Sequence, residues 1–139
     1  MKITLAENFR AIFYAPFYAL KVLDLARREG VDIAWLPPGA PGGAIDDVKR
    51  GTVDLTWGAP MRVMKDLDST PADGRSLLCF GEVVARDPFC LVGTPDPAGF
   101  DLTALARLRF GVVSEVPTPW LCLQGDLRDA GIDPSAMLA

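Results

Sequence analysis

The chain has 139 residues, half of them hydrophobic and 23% charged, with a net charge of −4 and no histidine. That length holds one core of ordinary size, and that balance describes a folded chain rather than a disordered one. An acidic chain without a Lys/Arg cluster lacks the basic face of a nucleic-acid binder, and without histidine it builds neither Ser-His-Asp nor Cys-His machinery.

No stretch approaches the ~20 apolar residues of a membrane span. Met1 to Leu5 carries one basic residue, and Glu7, Asn8 and Arg10 interrupt any apolar run after it, so no signal peptide is read. The expected location is periplasmic or extracytoplasmic if an export signal was removed, and cytoplasmic otherwise. Cys79, Cys90 and Cys122 form an odd, unclustered set without a CxxC pair. They are read as small apolar core residues rather than a disulfide framework; neighbouring strands would let Cys79 and Cys90 face each other, which spacing alone does not show. No metal site and no cofactor are expected.

In chain order, the first strand is predicted at 3–6. Pro16 opens a helix at a first-turn position where its missing N–H is harmless. Phe17, Leu20, Val22, Leu23 and Ala26 give that helix an apolar face, Arg27 and Arg28 suit its C-terminal dipole, and Gly30 ends it. A second strand alternates over 31–36, and a Pro/Gly-rich loop follows over 37–43. A short helix over 44–50 stops at Gly51. Val53, Leu55 and Trp57 then share one face of a third strand, the chain turns at Gly58 and Ala59, and Pro60 opens the next helix, to about Leu67. A strand that delivers a bare helix N-terminus in this way marks the edge where open α/β folds take small, often anionic, molecules. Further strands are predicted at 76–84, buried on both faces for part of its length, and at 89–93.

Pro95 and Pro97 mark a linker. Beyond it a short helix starts with Asp101 as N-cap, a strand covers 108–113, a helix runs from Pro119 to Ala130, and Asp133-Pro134 begins another. The expected organisation is a first lobe over 1–94 and, over 95–139, a linker with the start of an incomplete second lobe. The lone strand of that second part cannot form a sheet by itself.

Five segments together resemble the type II periplasmic solute-binding proteins, in the branch serving nitrate, sulfonate, taurine and thiamine-pyrimidine uptake. They are the Phe13-Tyr14-Ala15-Pro16-Phe17-Tyr18-Ala19 helix opening, the Gly51-Thr52-Val53-Asp54-Leu55-Thr56 run, the Trp57-Gly58-Ala59-Pro60 turn, the segment from Leu102 to Val112, and Leu127 to Pro134. The resemblance implies an α/β fold whose first lobe is a three-layer sandwich with a mainly parallel sheet and whose second lobe is truncated. It implies the substrate-binding component of an ABC importer, or its N-terminal part, holding a small organic solute between lobes without catalysis. The implied partners are that solute and, through the complete protein, a membrane permease. A homodimer is implied if the incomplete second lobe is paired between chains. The alternative is a cytoplasmic enzyme on the same fold, in pyrimidine-precursor biosynthesis or as a decarboxylase-like relative.

A binding protein of this kind needs donors fixed in place around a desolvated cleft. Four loops offer them: 8–15, 39–43, 57–60 and 114–118. Asn8, Phe9 and Arg10 follow the first strand; Arg10 suits a carboxylate, sulfonate or phosphate, or stands as a solvated arginine. Phe13 and Tyr14 stack on a ring-shaped solute or seal the rim. Gly39 belongs to the second loop. Trp57, Gly58, Ala59 and Arg62 form the next set, in which Trp57 is either ligand wall or core, and Arg62 sits in a first turn where a cation opposes the helix dipole. Glu82 is a hinge or pocket carboxylate, and Glu82 with Glu115 suits a cationic or amine-bearing ligand. Thr118 matches the hydroxyls that the family's second-lobe loop offers to ligand. Asp54, on the opposite strand face, is read as a structural cap or loop partner.

Overall fold

The computed structural model describes residues 1–40, 42–71, 74, 76–94, 99–113 and 116–137. These form two compact units, Met1–Pro88 and Phe89–Ala139. The division falls after Pro88, short of the linker prolines.

The first unit is built on three parallel strands, β1 (Lys2–Ala6), β2 (Asp32–Leu36) and β3 (Leu55–Thr56), in the order β2-β1-β3. Parallel neighbours require helical crossovers. α1 (Ala15–Val22) and α2 (Leu25–Arg28) link β1 to β2, α3 (Gly43–Arg50) links β2 to β3, and α4 (Pro60–Ser69) follows β3. β1 is the central strand, and its adjacent residues Leu5 and Ala6, which point to opposite faces, are both buried. Leu5 packs with Tyr14 and Trp57 beneath the α1 side. Ala6 packs with Ala44, Val48 and Val53 beneath α3. Different helices therefore cover the two faces, which is the layering of a small α/β fold.

β3 is shorter than its alternation predicts, and side chains add to its backbone pairing with β1, where the Asp54 N–H donates to the Thr4 carbonyl at 3.1 Å. Asp54 Oδ2 accepts the Thr4 N–H at 2.7 Å, and the Thr56 hydroxyl donates to the Ala6 carbonyl at 2.9 Å. Asp54 is thus the loop partner that its position suggested. The helix expected to run on to Gly30 is broken into α1 and α2 at Asp24, a left-handed residue with φ 52°. α3 ends as predicted at Gly51, whose φ of 74° suits a residue without Cβ.

Three expected strands do not form. Residues 76–84 and 89–93 are irregular, with Leu78 84% and Phe80 77% exposed. A strand exists only through partners, and β3 offers a neighbour just two residues long. Within the first stretch Val84 alone packs against the Leu5 cluster. Cys79, Cys90 and Cys122 are all exposed thiols rather than core residues; the segments that were to bury Cys79 and Cys90 are not in the sheet.

The second unit contains a 3₁₀ segment, Leu102–Arg107, then α5 (Thr118–Asp129) and a 3₁₀ turn, Pro134–Ala136. Asp101 and Asp133 cap as predicted: their carboxylates accept the N–H of Thr103 at 2.7 Å and of Ser135 at 2.9 Å. Leu105, Val116 and Leu127 are buried apolar residues among those described in it. The strand expected at 108–113 is absent, and no described residue of this unit is in a strand, consistent with a single extended run having nothing to pair with.

Candidate functional site

Because β1, β2 and β3 are parallel and Ala6 pairs with both Leu36 and Thr56, their carboxyl ends lie side by side. Each strand then releases the chain toward a helix, so three junctions start from one edge of the sheet. Contacts tie them together. The Asn8 side chain accepts the Gly42 N–H through Oδ1 at 3.3 Å, joining the first junction to the second. A Cβ placed on Gly58 would stand 3.6 Å from Asn8 Nδ2 and 3.9 Å from both Arg62 Cδ and Ile45 Cδ1, so the third junction closes on the other two. A Cβ on Gly42 would come within 2.9 Å of the Arg62 guanidinium. The Arg62 side chain thus takes the place a Gly42 side chain would fill, and Gly58 leaves room for about one methyl group between Asn8, Ile45 and Arg62.

Asn8 is 2% exposed. Its Oδ1 is committed to Gly42, which also fixes the orientation of the amide. Its Nδ2 has no hydrogen-bond partner among the described residues. A donor held this way, buried and unmatched, is costly unless something fills it. Arg62 lies in the first turn of α4, after the extended N-cap Ala59 and Pro60 at the first helical position. Beside these junctions an open groove of about 340 Å³ lies between α3 and α4, lined by Gly42 and Arg62 and by Ile45, Asp46, Lys65, Asp66 and Ser69.

The aromatic residues lie under this edge. Phe9 meets Tyr14 edge-on at 5.3 Å, and Phe13 meets Tyr14 at 4.7 Å. Phe17 stacks on Trp57 at 4.4 Å, and Tyr14 lies 5.4 Å from it. Tyr14 and Trp57 are core residues, 7% and 4% exposed, and Phe9 and Phe13 pack against them half-buried. Burial pushes the Tyr14 phenol above its ordinary range, and the nearby Arg62 charge opposes that rise. Trp57 Nε1 and Tyr18 Oη are buried without a partner among the described residues.

The remaining candidates disperse. Arg10 is exposed and pairs at 3.3 Å with Glu7, which is itself 5% exposed. Gly39 is exposed with nothing near its Cβ position. Glu82 is exposed on the irregular stretch after α4. Thr118 opens α5 in the second unit, where its Oγ1 is buried without a hydrogen-bond partner among the described residues. Glu115 lies outside the described residues. Sequence reasoning overlooked Glu7 and included Gly42 only as part of the 39–43 loop. The signal for Gly42 was present in the Gly42-Gly43 pair at a helix start; nothing local distinguishes Glu7 from a solvated carboxylate. Among the described residues no three Cys, Asp or Glu side chains are grouped to hold a metal ion, and no helix is long and apolar enough to cross a membrane.

The chain matches no protein-family model, no curated protein and no solved structure at a significant level. The chemistry of the site is therefore argued from its own atoms. The Asn8 amide nitrogen and the Arg62 guanidinium are donors, which suits a molecule rich in acceptors; at the start of α4 Pro60 has no N–H and the Arg62 N–H donates to the Ala59 carbonyl at 3.0 Å.

Proposed function

We propose that this protein binds a small organic solute at the carboxyl edge of its parallel sheet, as the substrate-binding component of an importer or the N-terminal part of one. The observation that carries the binding reading is the meeting of three strand-to-helix junctions around Asn8, a buried side chain with an unmatched donor. Such edges offer fixed dipoles that need little reorganisation when a guest arrives. The importer role draws its support from the resemblance carried by 13–19, 51–60, 102–112 and 127–134. In that role the protein breaks no bond and needs no cofactor. Its permease partner would engage the complete protein.

Native mass spectrometry of protein purified without denaturation tests the reading. The expected result is a mass increment that disappears on unfolding and is identified as a small organic molecule. An unliganded mass, together with turnover of a candidate substrate, overturns it.

A further inference from the structure

We propose that the outer edge of β2 pairs antiparallel with the same edge of a second copy of this chain, joining two three-stranded sheets into one of six strands about a two-fold axis at Ala34. The inference is independent of the solute reading. Among the described residues β2 has a neighbour, β1, on one side only. Successive residues of a strand turn their N–H and C=O groups to opposite sides. The Asp32 N–H donates to the Met1 carbonyl at 2.8 Å, and the Leu36 carbonyl accepts the Glu7 N–H at 3.0 Å, so Asp32, Ala34 and Leu36 face β1. Ile33 and Trp35 therefore direct their backbone groups outward, and no described residue bonds to them there. β3, at the opposite edge, is two residues long, whereas β2 has five. β2 is the edge long enough to template a partner strand.

The edge complements itself in register, shape and charge. Pro37 and Pro38 follow Leu36 directly, and residues without an N–H close the ladder there. Pairing is thus confined to 32–36, whose midpoint is Ala34. An antiparallel pair centred on that residue sets Ile33 against the partner's Trp35, and each outward N–H then meets an outward C=O. Ile33 beside an indole is also a favourable cross-strand pair. The two copies of Ala34 meet at the axis as a non-hydrogen-bonded pair, where Cα atoms approach to about 4.5 Å and a small side chain fits best. The two ends of the edge carry opposite charge. Beside its start, Asp24 and Asp32 share Arg27, at 3.7 Å and 3.5 Å. Toward its end, Lys21 stands over the Trp35 ring at 5.4 Å. All four charged side chains line one cleft of about 160 Å³ between β2 and the helices before it. Antiparallel pairing brings the acidic end of each copy to the basic end of the other, whereas a parallel pair would set like against like.

Sedimentation equilibrium of the full chain, combined with amide hydrogen exchange, tests the pairing. The mass should rise from the 15.0 kDa of one chain toward twice that value as concentration increases, with Kd on the order of 10–100 μM. Over the same range the amides of Ile33 and Trp35 should gain protection, while that of Ala34, which faces β1, is protected throughout. This readout needs no substitution. Ala34→Lys puts like charges on both sides of the axis and should weaken the dimer by about tenfold or more. Lys21→Glu makes both ends acidic and should also weaken it, by about threefold to tenfold. Lys21→Glu combined with Asp32→Lys exchanges the two charges and should recover most of the affinity. A chain that stays monomeric at about 1 mM overturns the proposal, even where a foreign peptide occupies the edge. A dimer that leaves Ile33 and Trp35 unprotected, or that is indifferent to Ala34→Lys, overturns it as well, because the copies then meet elsewhere.

Discussion

Asp66 shows how single residues hold the groove in shape. Lys49 donates a hydrogen bond to its Oδ1, and the backbone N–H of Leu77 and the Thr70 hydroxyl add to it. These contacts, led by the Lys49 hydrogen bond, hold the Asp66 carboxyl below its ordinary 3.8. A carboxyl whose folded pKa is depressed adds stability that is present in full above its unfolded value and drains away as pH falls through the folded one. Thermal melts of the wild type should therefore lose midpoint steadily below about pH 4, and Asp66→Asn should flatten that decline. An equal decline in both would remove Asp66 as its source. Trp57 sits at the opposite extreme, a side chain whose role is packing. It is 4% exposed and stacked on Phe17. Trp57→Ala is expected to lower unfolding free energy by about 3–5 kcal/mol in urea titrations. A loss below about 1 kcal/mol would place the indole in a pocket that relaxes freely, against its position in the core.

At the scale of elements, the parts legible in the sequence were those specified locally. Pro60 and Gly51 fixed the beginning of α4 and the end of α3, and Asp101 and Asp133 fixed the caps of the second unit. Gly51→Ala should accordingly cost about 1–2 kcal/mol by forcing a Cβ into left-handed backbone, whereas Gly58→Ala should be close to neutral in the same denaturation assay. The missed parts depend on partners distant in the chain. Apolar runs at 76–84, 89–93 and 108–113 have strand composition, yet composition supplies no neighbour to bond to. The break at Asp24 was hidden because apolar spacing continues across it through Leu25 and Ala26. The site divides in the same manner. Asn8, Gly58 and Arg62 were legible as junction residues, while the burial of Tyr14 and Trp57 is set by Leu5 on another strand. Hydrogen exchange separates the two kinds of segment: amides of β1 should be among the slowest, and those of 76–84 should exchange at nearly unfolded rates. Strong protection across 76–84 would show that it pairs after all.

At the scale of the whole molecule, the chain forms two compact units that differ in kind. The first owns a sheet with both faces covered; the second is held by short helical segments around Leu105, Val116 and Leu127. All three thiols are exposed, although free cysteine is commonly a core residue. Three equivalents should consequently react with an aromatic disulfide reagent in native buffer in a single fast phase. A slow phase coupled to unfolding would return at least one thiol to the interior.

The guest-binding edge is best tested by mapping backbone amide shifts in ¹⁵N-labelled protein when a metabolite extract is added. The largest saturable changes should fall at Asn8, Gly42, Gly58 and Arg62, which no continuous stretch of sequence groups together. Changes confined to other surfaces, or none anywhere, would mean that the three junctions meet for the sake of the fold alone.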